Sequence, residues 1–256
     1  MTAPLADSGL WCRCYHPSPS ATRRLVCFPH AGGSAVFFHP VSAALAPGIE
    51  VLAIQYPGRQ DRRLEPGIGD IGRLADEIAR ALDPWRGAPL DLFGHSMGAL
   101  VAFEVALRLE RDGHPPANLF VSGRKSPSLG STDLMTLTES EIIADLRSLD
   151  GTGAGLLEDA EMLDMILQPV RNDYRAVGRY RSRPDAVLSC PVTALVGDDD
   201  PRAAVPETAA WEAHTTGAFE LRVFPGGHFY LTARAAEVIA LLRDRMTAGQ
   251  GSPGPR

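Results

Sequence analysis

The chain has 256 residues, of which 45% are hydrophobic and 22% charged. That balance belongs to a soluble globular protein and excludes general disorder. The length suits one large domain that needs no disulfide or structural metal to hold a core. The net charge of −6, from 25 basic and 31 acidic residues, excludes a nucleic-acid binder that works through a basic surface. Lys125 is the only lysine among those 25, so an arginine cluster has to be sought within a general arginine bias.

In chain order, the N-terminus reads MTAPLADSGLW, with neither the basic nor the apolar region of a secretory signal. No run reaches the roughly 20 apolar residues of a spanning helix, so the expected location is the cytoplasm. Trp11–Tyr15 reads as an edge strand. Cys12, Cys14, Cys27 and Cys190 form no CxxC pair or zinc set and read as reduced structural thiols. Predominantly apolar runs follow at Leu25–Phe28, Val51–Ile54, Leu90–Phe93, Leu119–Val121, Val192–Val196 and Leu221–Phe224, most of them closed by glycine or proline. Such runs suit strands buried on both faces of a parallel sheet. Helical patterns alternate with them at Ile71–Leu82, Ala99–Asp112, Pro206–His214 and Ala233–Met246. The alternation predicts an α/β fold, a doubly wound, mostly parallel sheet.

The rhythm breaks once, from about Lys125 to Pro184, where only helical patterns occur. Ser140–Ser148 is opened by Thr138 with Glu141 three residues on, the spacing of a capping box. Leu156–Leu167 and Pro169–Tyr180 follow as two further helices, with Gly151–Gly155 as a hinge. A helical insertion at the loop edge of a sheet is often a lid. The expected organisation is one domain over 1–247, the insertion at about 125–184, and a disordered Gly/Pro/Ser-rich tail over 248–256.

Gly94-His95-Ser96-Met97-Gly98 fits G-x-S-x-G between a predicted strand and a predicted helix. The sharp turn needs glycines on both sides, because a Cβ there would crowd the crossing backbone. The serine needs a base, and the base an orienting acid, in the chain order Ser, acid, His. Only His114, His214 and His228 follow Ser96. His214 sits in a helical pattern and reads as outward and solvated. His228, in Pro225-Gly-Gly-His228, can reach over the sheet edge as the base. The acid is sought in Gly197-Asp198-Asp199-Asp200-Pro201, with Asp200 preferred and Asp199 next. The other strand exit, Ser122-Gly123-Arg124, offers no carboxylate. The loop Pro29-His30-Ala31-Gly32-Gly33 corresponds to the oxyanion loop of this fold. The backbone N–H groups of Ala31 and Met97 are the expected donors, worth several kcal/mol, on the order of 3, of barrier lowering. His30 reads as a residue that shapes the loop.

Together, Val26–Gly33, Gln55-Tyr-Pro-Gly-Arg59, Gly94–Gly98, Ser122-Gly-Arg124, Gly197–Pro201 and Pro225–Phe229 resemble the type II thioesterases. These are discrete editing enzymes of polyketide and nonribosomal peptide assembly lines, built on the α/β-hydrolase fold. The resemblance runs from about Leu10 to Met246 and implies hydrolysis of stalled or mis-loaded acyl groups from the phosphopantetheine arm of acyl or peptidyl carrier proteins. The matching positions are Ser96, Asp200 and His228, with Ala31 and Met97. The implied enzyme needs no metal or bound cofactor, acts on no membrane or nucleic acid, and is expected to be a monomer. A chain of this length has room for one catalytic domain plus a lid and none for a fused carrier.

Gly67-Ile-Gly-Asp-Ile-Gly72 matches GxGxxG but follows a loop, so it reads as a helix lead-in. Arg171, Arg175 and Arg179 recur every four residues and share a helical face. They are either a solvated face or a docking site for an acidic carrier. Arg59, Arg62 and Arg63 form a second candidate patch. Competing functions are a macrocyclising thioesterase, a generic esterase and a non-catalytic binding scaffold on the same fold.

Overall fold

The computed structural model describes residues 9–130, 134, 136–149, 160–183 and 185–248, with backbone alone at 160–165 and 248. Seven strands form one sheet: β1 (Cys12–Arg13), β2 (Arg23–Phe28), β3 (Ile49–Ile54), β4 (Leu90–His95), β5 (Asn118–Ser122), β6 (Val192–Gly197) and β7 (Phe219–Phe224). Their order is β1-β3-β2-β4-β5-β6-β7, and only β1 runs antiparallel to its neighbour. The expected edge strand is shorter than Trp11–Tyr15, pairing only Cys12 with Ile54 and Arg13 with Ala53.

Five of the apolar runs are strands buried under helices on both faces. The sixth, Leu221–Phe224, falls in the edge strand β7, where Arg222 and Val223 are exposed, so the expectation of burial on both faces fails there. Val26, Leu52, Leu92, Leu119 and Ala194 point into a core shared with α2 (Ile71–Ala81) and α3 (Met97–Arg111). Their neighbours Leu25, Val51, Phe93, Phe120 and Leu195 point into the opposite core, shared with α1 (His39–Leu45) and α8 (Ala235–Ala248). Each fully buried Leu or Phe contributes about 1.5–3 kcal/mol, so a one-residue register slip would exchange two complete cores. Asp70 caps α2 by accepting from the Arg73 N–H at 2.8 Å, so Gly67–Gly72 is indeed a helix lead-in.

The insertion contains no strand among its described residues. The capping box forms at the start of α4 (Glu139–Ser148), where Thr138 accepts from the Glu141 N–H and Glu141 accepts from the Thr138 N–H. Where two helices were expected around Pro169, one helix, α5 (Ala160–Arg179), runs through the proline. A proline forfeits one backbone hydrogen bond. Here Leu167 on one side of it and Val170, Tyr174 and Val177 on the other are all buried, which holds the helix together. The expected hinge Gly151–Gly155 and the tail after Ala248 lie outside the described residues. The last two helical patterns are each broken: α6 (Val205–Ala209) tightens into a 3-10 turn over Ala210–His214, and α7 (Tyr230–Ala233) is separated from α8 at Arg234.

Candidate active site

Three loops and the β4–α3 turn meet above the carboxyl ends of β2, β4, β6 and β7. Ser96 is the single residue between β4 and α3, and its φ of 56° and ψ of −117° lie outside the regions an L-residue prefers. Such a conformation costs on the order of 1–3 kcal/mol and persists only when its surroundings fix it. The fixing contacts are backbone. A Cβ on Gly94 would lie 2.2 Å from the Gly98 carbonyl oxygen, and one on Gly98 would lie 2.0 Å from that of Phe28. The Ser96 N–H donates to the Ser122 carbonyl at 2.8 Å. The unpaired N–H groups and positive dipole end of α3 start at this turn.

β6 and β7 end side by side, and Gly197 lets the two following loops touch: a Cβ there would lie 2.2 Å from the Gly226 carbonyl oxygen. This closeness seats His228 over Asp200. Its Nδ1 lies 3.0 Å from both carboxylate oxygens, and both residues are buried. Asp200 Oδ1 also accepts the Arg202 N–H at 2.8 Å, which fixes the carboxylate's orientation. A proton on Nδ1 shared with Asp200 leaves Nε2 as the acceptor of the ring. Asp198 instead accepts the Gly226 N–H, and Asp199 is exposed.

Ser96, His228, Ala31 and Met97 line one cavity of about 340 Å³. Phe37 and Phe229 form part of its wall, and the insertion supplies Leu146, Val170 and Val177. His30 packs edge-on to Phe37 and Phe229, with ring centroids 4.8 and 4.9 Å away, and its ring fills the space that a side chain on Gly33 would need. Burial, aided by His228 and Arg59, pushes the His30 imidazole down to about 3. His95 stacks obliquely on His228 at 5.0 Å and touches Ser122 Oγ at 3.0 Å, which in turn contacts the Tyr230 hydroxyl at 2.7 Å. Burial first, then His228 and His30, hold His95 well below its ordinary value. Both flanking imidazoles are therefore neutral and place no charge beside His228. Among the described residues no group of three His, Cys, Asp or Glu side chains could hold a metal ion.

Two expectations need correction. His214 is buried, not solvated: it lies three residues after Trp211 on the same turn face, packs against Phe103 at 5.4 Å, and its Nδ1 meets the Ala186 carbonyl at 2.8 Å. Arg59 and Arg62 are no surface patch. Arg62 lies over the Trp11 ring and pairs with Glu65, while Arg59 makes a bidentate pair with Asp173 at 2.7 and 2.9 Å. Only Arg63 of the three is exposed. Arg171 pairs with Glu139, and Arg175 and Arg179 are exposed with no ion pair among the described residues. None of these three lines the cavity.

Sequence reasoning did not find the side chains that tie the insertion to the site. Asp173 accepts the Gly32 N–H at 2.8 Å, and Arg59 donates to the Gly33 carbonyl at 3.0 Å. Burial is the largest influence on Arg59 and works against its charge, but Asp173 outweighs it and holds the guanidinium above its ordinary value. The next residue, Tyr174, donates to Asp145 at 2.5 Å, and Asp145 pairs with Arg202 beside Asp200. The signal available was Tyr-Pro-Gly-Arg59, whose arginine follows a turn at the sheet edge rather than a helix face.

A family model described as a thioesterase domain matches residues 23–246. The chain is 52% identical over 223 residues to a probable cadicidin biosynthesis thioesterase of Streptomyces griseus, covering 87% of this chain. That match covers 62% of the relative, so the chain spans under two thirds of its length. It is 47% identical over 253 residues to the thioesterase PikA5 of Streptomyces venezuelae, covering 98% of this chain and 90% of that one. Among solved structures, the type II thioesterase BorB from the borrelidin biosynthetic cluster is similar at a TM-score of 0.87 and 47% identity, over 93% of this chain and 98% of BorB. With the seven-stranded sheet and the G-x-S-x-G elbow, these likenesses establish that the chain belongs to the thioesterase family, among the type II thioesterases of α/β-hydrolase fold.

Proposed function

We propose that the chain is a discrete editing thioesterase that frees acyl groups from the phosphopantetheine arm of carrier proteins in polyketide or nonribosomal peptide synthesis. The observation that carries the chemistry is the buried Asp200–His228 pair on the same cavity as Ser96 at its strained turn. Ser96 Oγ attacks the thioester carbonyl and His228 takes its proton. The carbonyl oxygen becomes an oxyanion held by the N–H groups of Ala31 and Met97. As the C–S bond breaks, His228 returns the proton to the leaving thiolate. Water, deprotonated by His228, then attacks the acyl-serine, and the collapse of that intermediate frees the acid and restores Ser96. Every proton step is served by these side chains, without a metal or bound cofactor.

A cavity of about 340 Å³ is near the small end of ligand sites and suits a short acyl unit. The insertion at about 125–184 acts as a lid, because its apolar side chains wall the cavity that Ser96 lines. The single domain of 1–247 works as a monomer in the cytoplasm; no helix among the described residues is long and apolar enough to cross a membrane. Ser96→Ala is expected to remove hydrolysis of an acyl-carrier thioester while the thermal melt is kept, and full activity in that variant would refute the assignment. Arg171, Arg175 and Arg179 form the docking face for the acidic carrier. Reversing Arg171 and Arg175 to Glu is expected to slow acyl-carrier turnover about tenfold and leave a small acyl thioester untouched. Equal loss on both substrates, or none on either, sets the docking face elsewhere.

A further inference from the structure

The Asp173–Arg59 pair lies outside the reacting groups, yet it is among the most buried ion pairs of the described residues. Asp173 is 1% exposed and Arg59 6%. Burying two charges is costly unless every remaining donor and acceptor finds a partner. Here the partners include backbone atoms of one short loop, beside the Asn172 side chain and the Pro57 carbonyl. Asp173 Oδ2 accepts both Arg59 Nη1 and the Gly32 N–H, and the same Nη1 donates to the Gly33 carbonyl. The two side chains come from distant parts of the chain, one after β3 and the other from α5, 114 residues later. Gly32 has a φ of +74°, and a Cβ on it would lie 2.4 Å from Val170 Cγ2. The helix therefore sits directly on the loop, leaving space for glycine alone.

The Gly32 N–H belongs to the peptide plane that begins at Ala31. Holding that N–H fixes the plane immediately after the Ala31 N–H, and the Gly33 N–H to His30 carbonyl bond at 2.9 Å closes the turn around it. A carboxylate this near an oxyanion site would oppose the developing charge if it stood alone. Arg59, engaging both of its oxygens, neutralises it.

We propose that Asp173 and Arg59 are positioning residues that hold the Ala31 N–H at the place where the oxyanion forms, so that the insertion helix completes the oxyanion site. The proposal rests on the reading of Ala31 as an oxyanion donor. Neither residue touches substrate, and their effect falls on the tetrahedral state rather than on the bound thioester.

The test compares two probes on the full chain. One is a short-chain alkyl trifluoromethyl ketone. Ser96 Oγ adds to its carbonyl carbon, the serine proton passes to His228, and the carbonyl π pair becomes an oxyanion. The other is the matching thioether, which fills the cavity and cannot form an oxyanion. Asp173→Ala is expected to weaken the ketone about 10- to 100-fold and to lower kcat by a similar factor. Binding of the thioether and KM are expected to change less than about twofold, since uniform binding is untouched. Asp173→Asn keeps an acceptor for the Gly32 N–H, so it is expected to recover part of the loss, although Arg59 is unpaired in both variants. The double variant D173L/R59M replaces the pair by apolar groups of similar volume, which a core often tolerates, and it guards against a single variant that fails to fold. It is expected to melt normally and to lose ketone preference as Asp173→Ala does. Retained ketone preference in folded D173L/R59M overturns the proposal, as does a parallel loss of ketone and thioether. If the unaltered chain itself binds ketone no better than thioether, the oxyanion assignment fails and the positioning role falls with it.

Discussion

At the carboxyl edge of the sheet, positions are fixed by backbone lying against backbone. In the insertion that lines the same cavity, they are fixed by charged and polar side chains reaching over. Gly94, Gly98 and Gly197 each leave room for a carbonyl oxygen that would otherwise meet a Cβ at 2.0–2.2 Å. The insertion has contacts of another kind: Asp173 with Arg59, Tyr174 with Asp145, and Asp145 with Arg202. Backbone contact tolerates no atom more and therefore confines the sequence to glycine at stated spacings. Side-chain pairing tolerates many residues at each end and constrains only the combination.

That contrast can be pressed by substitution. The largest effect is expected at Asp200, where the sheet edge meets the chemistry. Asp200→Asn should lower kcat about 10,000-fold, because the imidazole loses the partner that sets its tautomer. Asp199→Asn, exposed and one residue away, should stay within about twofold. Acyl-thioester kinetics on both variants decide it, and equal losses would return the choice of acid to Asp199. Next comes Gly98→Ala. The added Cβ would meet backbone, not a flexible side-chain end, so the elbow has to move. A displacement of about 1 Å is expected to cost about 100-fold in kcat, with a lower melting temperature. Wild-type kinetics for this variant would break the claim that backbone packing sets the serine.

The smallest effect is on stability in acid. The folded chain keeps His30 and His95 neutral, His30 down to about 3, whereas the unfolded chain protonates each near its ordinary 6.5. Below about 6.5 the unfolded state thus binds more protons, so stability is full above that pH and falls as pH drops toward 3. The slope is at most about 1.4 kcal/mol per pH unit for each histidine. Urea melts at several pH values should show it, and His30→Asn should flatten it. A slope unchanged by His30→Asn would mean that acid acts through the charged pairs of the insertion instead.

The same contrast explains what could be read in the sequence. The six strand-forming runs, five of them buried, the elbow glycines and the loops bearing Ala31, Asp200 and His228 are local patterns, and the structure gathers those loops at one sheet edge. Arg59 and Asp173 are separated by 114 positions, and nothing near either residue names the other. Arg59 and Arg62 resembled a surface patch because arginine is the default cation in this chain; only the partners reveal burial. His214 is buried where its helical pattern reads as solvated, because a short turn places it beside Trp211, where an imidazole can bury its ring and still bond the Ala186 carbonyl. Pro169 suggested a break, and long-range packing of Leu167 and Val170 overrode it.

Asp173 and Tyr174 are neighbours on α5, about 100° apart around the helix, and they bond different elements, Asp173 the Gly32 loop and Tyr174 the Asp145 of α4. Arg59, which pairs with Asp173, and Arg202, which pairs with the Asp145 that Tyr174 bonds, lie before and after the insertion in the chain, not within it. The insertion is therefore not a free-standing module. A chimera that exchanged residues 125–184 with those of a relative would inherit the new helix without its sockets. Grafts that carry matching residues at 59 and 202 should assemble, and those that do not would bring a carboxylate into the fold with no cation to receive it.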